Sequence, residues 1–280
     1  MSTKKIDNSI FCTLLKGRFI EGLNNLPSKW KIEKFKTIAD RYLGTKSESL
    51  TAIKFSNESG IFRIGNSAVI KIFSSRKEYE RELLANLILS GEGICQMLDS
   101  SDDLLVIKFE FLETEKIKAN DIENAFSLLG RLHFRGISAL VESANVIPPD
   151  FDEAGLPLIK AALDDWNIEP SFSINDHKAE NYRMSNGVLT RIDLGTINFR
   201  YPRWIDLFTI VDFVSDTSSL SIDIKELCGV YFDSCKISCS KRKYAVEILD
   251  ALASDLGFES LEHFWSKGIE LIEINGSVGQ

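Results

Sequence analysis

Three side chains in the stretch Ser173–Gly195, SINDHKAENYRMSNGVLTRIDLG, have the types and spacing for phosphate chemistry. Asp176 is followed five residues later by Asn181, and Asp193 closes an apolar run just before Leu194 and Gly195. Transfer of a phosphoryl group from a nucleoside triphosphate is mostly a matter of positioning and charge. It needs a carboxylate to orient an attacking hydroxyl and accept its proton late, and oxygen ligands for the cations that bridge the phosphates. Asp176 suits the first task. Asn181 and Asp193 suit the second, because a hard cation such as Mg²⁺ prefers amide and carboxylate oxygen. Lys178, two residues after Asp176, could offset the charge of the transferred group. A fifth residue lies a hundred positions earlier. Lys71 sits inside the apolar run Ala68–Phe73, where a charge is costly unless paired. Pairing with a glutamate and with two phosphates would account for it; the plainer reading is a lysine pointing to solvent from an open sheet face.

The elements that must hold these groups follow from periodicity. Thr51–Phe55, Ile61–Ile64 and Ala68–Phe73 alternate as strands joined by the turns Ser56–Gly60 and Gly65–Ser67. Glu78–Leu89 has a helical pattern and offers Glu78, Glu80 and Glu82 to Lys71. Glu80 is the expected partner, because it leads the Leu83, Leu84, Leu87 stripe by three and four positions; Glu82 is the alternative. Ile94–Asp99 and Leu104–Leu112 form a further strand pair around Ser100–Asp103. Helices are expected over Ile10–Leu23, Trp30–Leu43, Asp121–Gly136, Leu158–Trp166 and much of 207–275. Asn186-Gly187 marks a hairpin that delivers Asp193.

In order and spacing, Lys71, Asp176, Asn181 and the Ile192-Asp193-Leu194-Gly195 turn resemble the kinase-like phosphotransferases, nearest the aminoglycoside phosphotransferase and choline kinase group. The resemblance spans about residues 50 to 215. It implies that Ser56, Asn57, Ser59 and Gly60 cover the nucleotide phosphates, and that Lys71 pairs with a helix glutamate. It also implies that the Glu110 carbonyl and Leu112 N–H meet the adenine edge, and that Asp176 serves as catalytic base with Asn181 and Asp193 on Mg²⁺. Leu128-Leu129-Gly130-Arg131-Leu132-His133 resembles a helix of the same group, with His133 structural and partly buried at a helix end. Asp206 would be a buried brace for the catalytic loop. About forty residues separate His133 from Asp176, and in such relatives an insertion there walls a small-molecule acceptor site, here residues 140 to 172. Two departures stand out. Ile174 occupies the place of a histidine that props the loop, with Asn175 after it, while Lys178 matches protein kinases. His177 finds no partner by pattern and is placed at the cleft rim.

Composition narrows the classes. At 280 residues, 44% hydrophobic and 26% charged, the chain can bury one or two cores. Its net charge of −8 and lack of a basic run argue against a nucleic-acid face. No stretch is apolar enough to span a membrane. Five cysteines without paired spacing suggest free thiols in a reducing cytoplasm. The expected fold is α+β and two-lobed: a helical extension over 1–50, a small ATP-binding lobe over 51–112 built on an antiparallel sheet and one helix, and a mainly helical lobe over 113–280. The expected activity is ATP- and Mg²⁺-dependent transfer to a hydroxyl, most simply of a small molecule. The alternatives are a catalytically impaired scaffold with a protein partner, or a protein Ser/Thr kinase.

Overall fold

The computed structural model describes residues 29–44, 50–142 except 92, 114, 116, 119 and 120, residues 173–197 except 175, and parts of 206–266. The helix expected over Ile10–Leu23 and the stretch 143–172 expected to wall an acceptor lie outside the described residues.

Five antiparallel strands, β1 (Leu50–Phe55), β2 (Ser59–Ile64), β3 (Ala68–Phe73), β4 (Met97–Ser101) and β5 (Val106–Glu110), form one sheet in the order β1-β2-β3-β5-β4. Strand alternation sorts the side chains to two faces. Ile70 and Ile72 of β3 join Phe62 and Ile64 of β2 on one face, which is covered by α1 (Lys29–Leu43) through Phe35 and Ala39. Lys71 and Phe73 therefore face the other way, and Phe73 packs there with Tyr79, Ile107 and Phe109. This second face is where α2 (Arg76–Ile88) lies. Ser75 caps that helix by accepting the Glu78 N–H, which moves its start two residues ahead of the periodic pattern.

The strand pair after α2 is shorter than the sequence suggests. Leu105 has φ 53°, a turn conformation that delays β5 to Val106. Ile94 leaves the ladder with β5 and bridges Arg191 instead.

Below the sheet, α3 (Ile122–Glu142) runs past Gly136 and packs on α5 (Ile224–Ser234). Between them in sequence come the hairpin β6 (Tyr182–Ser185) and β7 (Val188–Arg191), and the short helix α4 (Asp206–Thr209). Asn186 and Gly187 have φ 51° and 76°, as a two-residue type I′ hairpin requires. Phe126, Leu129, Leu132, Leu207, Phe213 and Trp265 lie in the core of this larger, helical part. Sheet and helical part meet along a cleft, and Asp176 and Asp193 lie on the two loops flanking the hairpin.

Candidate active site

The cleft holds a cavity of about 340 Å³, within the range of small-molecule sites. Ile53, Ile61 and Val69 line it from the sheet, Phe109 to Leu112 from the connection between lobes, and Arg183 and Ile192 from the hairpin. Its polar end carries Lys71, Glu82, Asn181 and Asp193.

Lys71 is the centre of that end. Its ammonium lies 2.6 Å from Glu82 Oε2 and 2.9 Å from Asp193 Oδ1. Burial would lower the Lys71 pKa, but the charges of Asp193 and Glu82 outweigh it and the ammonium is held well above the ordinary lysine range. Burial pushes the Glu82 carboxyl up to about 7, against the Lys71 charge, with Asp193 adding to the rise. Asp193 responds in the opposite direction. Burial would raise it, but Lys71 at hydrogen-bonding distance brings it down to about 2. Gly195 allows this arrangement, because a Cβ there would stand 3.2 Å from Glu82 Oε2 and 3.3 Å from Asp193 Oδ1.

Glu80, the partner expected from the leucine stripe, is not brought to the site. It lies exposed on the opposite side of α2, 3.5 Å from Arg76. The buried face of α2 is Tyr79, Glu82, Ala85 and Asn86, and Leu87 is 57% exposed. Polar residues on the inner face and a leucine on the outer one defeat the stripe argument.

Asp176 and Asn181 are joined by the loop and a single 3₁₀ turn, Ala179–Asn181. Asn181 Nδ2 donates to the Asp176 carbonyl at 2.8 Å and to its Oδ2 at 2.9 Å. The Asn181 amide oxygen is thereby left to act as an acceptor. Lys178 Nζ is 3.2 Å from Asp176 Oδ1. Burial would raise the Asp176 carboxyl, and Lys178 and Asn181 reverse this and hold it below its usual range. Both aspartates adopt left-handed backbone conformations, φ 45° at Asp176 and 58° at Asp193. Such strain persists only where the surroundings over-determine it.

A buried hub beneath the loop supplies part of that constraint. Asp206 Oδ2 accepts the Ile174 N–H at 2.6 Å and meets His133 Nε2 at 2.8 Å, while its Oδ1 is 3.3 Å from His177 Nε2. His133 Nδ1 lies 2.8 Å from the Tyr231 hydroxyl, and His177 Nδ1 lies 2.6 Å from that of Tyr182. A carboxylate only accepts, so the His133 ring carries its proton on Nε2 and the Tyr231 hydroxyl donates to its Nδ1. Asp206 thus has the bracing position expected of it. His177 does not sit at the cleft rim: it is fully buried, and it props the loop from a site three residues after the absent histidine. His133 is likewise wholly buried inside α3. The Ile174 side chain fills the helical core.

The solved structures similar to this chain include a choline/ethanolamine kinase family protein from Mesorhizobium loti, 14% identical, which matches 85% of this chain and 93% of its own with a TM-score of 0.50. The fold is that of the kinase-like phosphotransferases. Lower scores go to a ternary complex of an aminoglycoside phosphotransferase with streptomycin and ATP (15% identity, 84% and 93% covered, TM-score 0.49) and to a choline kinase from Streptococcus pneumoniae (15%, 83% and 90%, 0.46). No protein-family model matches the chain, and no curated protein matches it in sequence.

Within this kinase-like fold the expected residues divide into two groups. Lys71, Asn181 and Asp193 line the cavity together with Glu110 and Leu112, and Asp176 and Lys178 adjoin through the bonds above. Ser56, Asn57, Ser59 and Gly60 are not among the lining residues. Their turn is closed on itself: the Ser56 hydroxyl accepts the N–H groups of Glu58 and Ser59 at 3.1 and 3.0 Å. The Asn57 carbonyl accepts from Lys31. Gly60 is demanded by packing, since a Cβ there would approach Phe35 to 2.8 Å. Lys54, just before this turn, instead crosses the cleft to Glu180 at 3.2 Å.

The donor set suits a divalent cation. Asp193 contributes a carboxylate that stays ionised and Asn181 an amide oxygen, both on the cavity wall, the oxygen chemistry that Mg²⁺ takes. Sequence reasoning missed His177 as a prop and passed over Arg191 altogether. The only signal for Arg191 was a cation at the end of an apolar strand, the same signal that singled out Lys71.

Proposed function

We propose that the protein is an ATP- and Mg²⁺-dependent phosphotransferase acting on the hydroxyl of a small molecule. The observation that carries this reading is the Lys71 ammonium, 2.6 Å from Glu82 and 2.9 Å from Asp193, on the wall of an apolar cavity that Glu110–Leu112 also line. The purine would lie between the aliphatic side chains of the sheet and the hairpin, with its edge against the Glu110 carbonyl and Leu112 N–H. Lys71 would meet the α- and β-phosphates. Asn181 and Asp193 would hold Mg²⁺, which when bound offsets the charge that gathers on the phosphates.

Asp176 is ionised at neutral pH and orients the acceptor hydroxyl. The bond from the γ-phosphorus to the bridging oxygen breaks, the acceptor oxygen takes its place, and the proton passes late to Asp176 as ADP leaves. Lys178, beside Asp176, would offset charge on the transferred group. Burial of His177 under the loop supports an active enzyme over an impaired scaffold, since the support expected from a histidine at 174 is supplied from 177. The described cysteines Cys95, Cys228 and Cys235 are buried thiols outside any disulfide, in keeping with a reducing compartment.

The test is twofold. Mg²⁺ with ATP should raise the melting temperature, and labelled γ-phosphate should move to at least one member of a panel of aminoglycosides, amino alcohols and sugars. Absence of both responses would refute the proposal; nucleotide binding without transfer, unchanged by Asp176→Asn, would favour the scaffold.

A further inference from the structure

Arg191, the last residue of β7, is 1% exposed. Burying a guanidinium costs several kcal/mol unless its donors are engaged. Its main chain is held on both sides, the N–H by the Gly93 carbonyl at 2.8 Å and the carbonyl by the Cys95 N–H at 3.1 Å. The guanidinium packs on the Tyr182 ring, 4.8 Å from its centroid. From there Nη2 donates to two main-chain carbonyls, that of Asp176 at 3.0 Å and that of Asp193 at 3.3 Å.

These are the two residues with φ 45° and 58°. A left-handed backbone costs most residues about 1 to 2 kcal/mol and aspartate less, so the contacts that fix the two conformations matter. A carbonyl aimed at a fixed donor fixes its peptide plane. Together with ψ, that plane sets the direction of the Cα–Cβ bond, the axis from which χ1 places each carboxylate. One nitrogen therefore governs the aim of two aspartates that are seventeen residues apart in sequence.

We propose that Arg191 is a positioning residue, which sets the mutual orientation of Asp176 and Asp193 by holding the carbonyl of each on a single guanidinium anchored by Tyr182. Its consequence for catalysis rests on the phosphotransferase reading; the mechanical coupling of the two loops does not. Arg191 also lines the cavity, and in this role it acts through the two aspartates.

The experiment compares the full-length wild type with Arg191→Met and Arg191→Lys. Amide hydrogen exchange, followed without nucleotide, reports on peptides covering 173–182 and 192–197. In Arg191→Met both peptides should exchange at least tenfold faster, while peptides from α3 and α5 keep their protection. With Mg²⁺ and ATP, kcat should fall a hundredfold or more and KM should change less than tenfold. Arg191→Lys, with a shorter stem carrying a point charge, should recover part of both losses. Unchanged exchange in both peptides, faster exchange in only one, or an unaltered kcat overturns the proposal. If Arg191→Met loses protection everywhere, the lysine variant decides by the same two measurements. A wild type that neither binds nor turns over nucleotide refutes the phosphotransferase reading, and the exchange data still decide the coupling.

Discussion

Lys71 and Glu82 meet at 2.6 Å across the interface between β3 and α2, with the glutamate side chain only 2% exposed. The pair joins the sheet to the one helix that packs on its cleft face, and it supports Asp193 from above. Removing Lys71 leaves two carboxylates without their shared cation, and removing Glu82 leaves Lys71 with Asp193 alone.

Glu82→Gln is therefore expected to lower phosphate transfer at least a hundredfold, about 2.7 kcal/mol at roughly 1.4 kcal/mol per factor of ten. Glu80→Gln should stay within threefold of wild type, because that side chain reaches only Arg76. Steady-state rates on the two purified variants separate the assignments, and equal losses would sink the distinction.

Asp193→Asn should abolish the stabilisation that Mg²⁺ adds to nucleotide binding. For a wild type at a hundredfold excess of nucleotide over Kd, the bound nucleotide stabilises the fold by about 2.7 kcal/mol in all, and the variant should lose the Mg²⁺-dependent part of it. Thermal melting with and without EDTA is the measurement. A variant that still responds to Mg²⁺ would move the cation to other ligands.

Gly195→Ala places a methyl group 3.2 Å from Glu82 Oε2 and 3.3 Å from Asp193 Oδ1. Those contacts are tight but not forbidden, so both carboxylates should shift by a few tenths of an ångström. A loss of about tenfold in kcat, near 1.4 kcal/mol, with a melting temperature within a few degrees of wild type is expected. Full activity in this variant would show that the triad of Lys71, Glu82 and Asp193 tolerates displacement.

Burial lowers the His177 pKa below its ordinary 6.5, with Asp206 opposing and Arg191 and His133 reinforcing the fall. The folded ring resists protonation while the unfolded one accepts it, so its contribution to stability is complete above about pH 6.5 and is lost as pH falls below that value. Asp206 is also depressed, and its share is lost only in stronger acid. Glu82, raised to about 7, runs the other way and favours the folded state at low pH. The informative quantity is thus the difference between wild type and His177→Gln. The variant should melt lower at pH 7.5, and its disadvantage should shrink between pH 6.5 and 5. A pH-independent difference would mean that His177 does not titrate on unfolding.

Much of the molecule is local enough to be read from the chain. Three strands with their turns, the hairpin at Asn186-Gly187, and the succession Asp176, Asn181, Asp193 depend on neighbours within a few residues, where backbone geometry and side-chain period dictate the outcome. Lys71 stood out because a lone cation in an apolar strand demands a partner. Which glutamate answers it was a matter of how α2 is rotated on the sheet, and that rotation follows from packing of Tyr79, Ala85 and Leu89 against two different surfaces. The inner face of α2 carries Glu82 and Asn86, so hydrophobic period alone points the wrong way. The same holds beneath the loop: only the folded chain brings His133, His177 and Asp206 together, across some seventy residues of sequence, and turns the missing prop at Ile174 into one supplied from below. Gly60 and Arg191 make the contrast plainest, since a glycine that reads as phosphate-binding is required by Phe35, and an arginine marked only by its place at the end of an apolar strand holds the carbonyls of both aspartates. Spacing along the chain determines which groups can act in concert; burial and long-range contact decide which of them do.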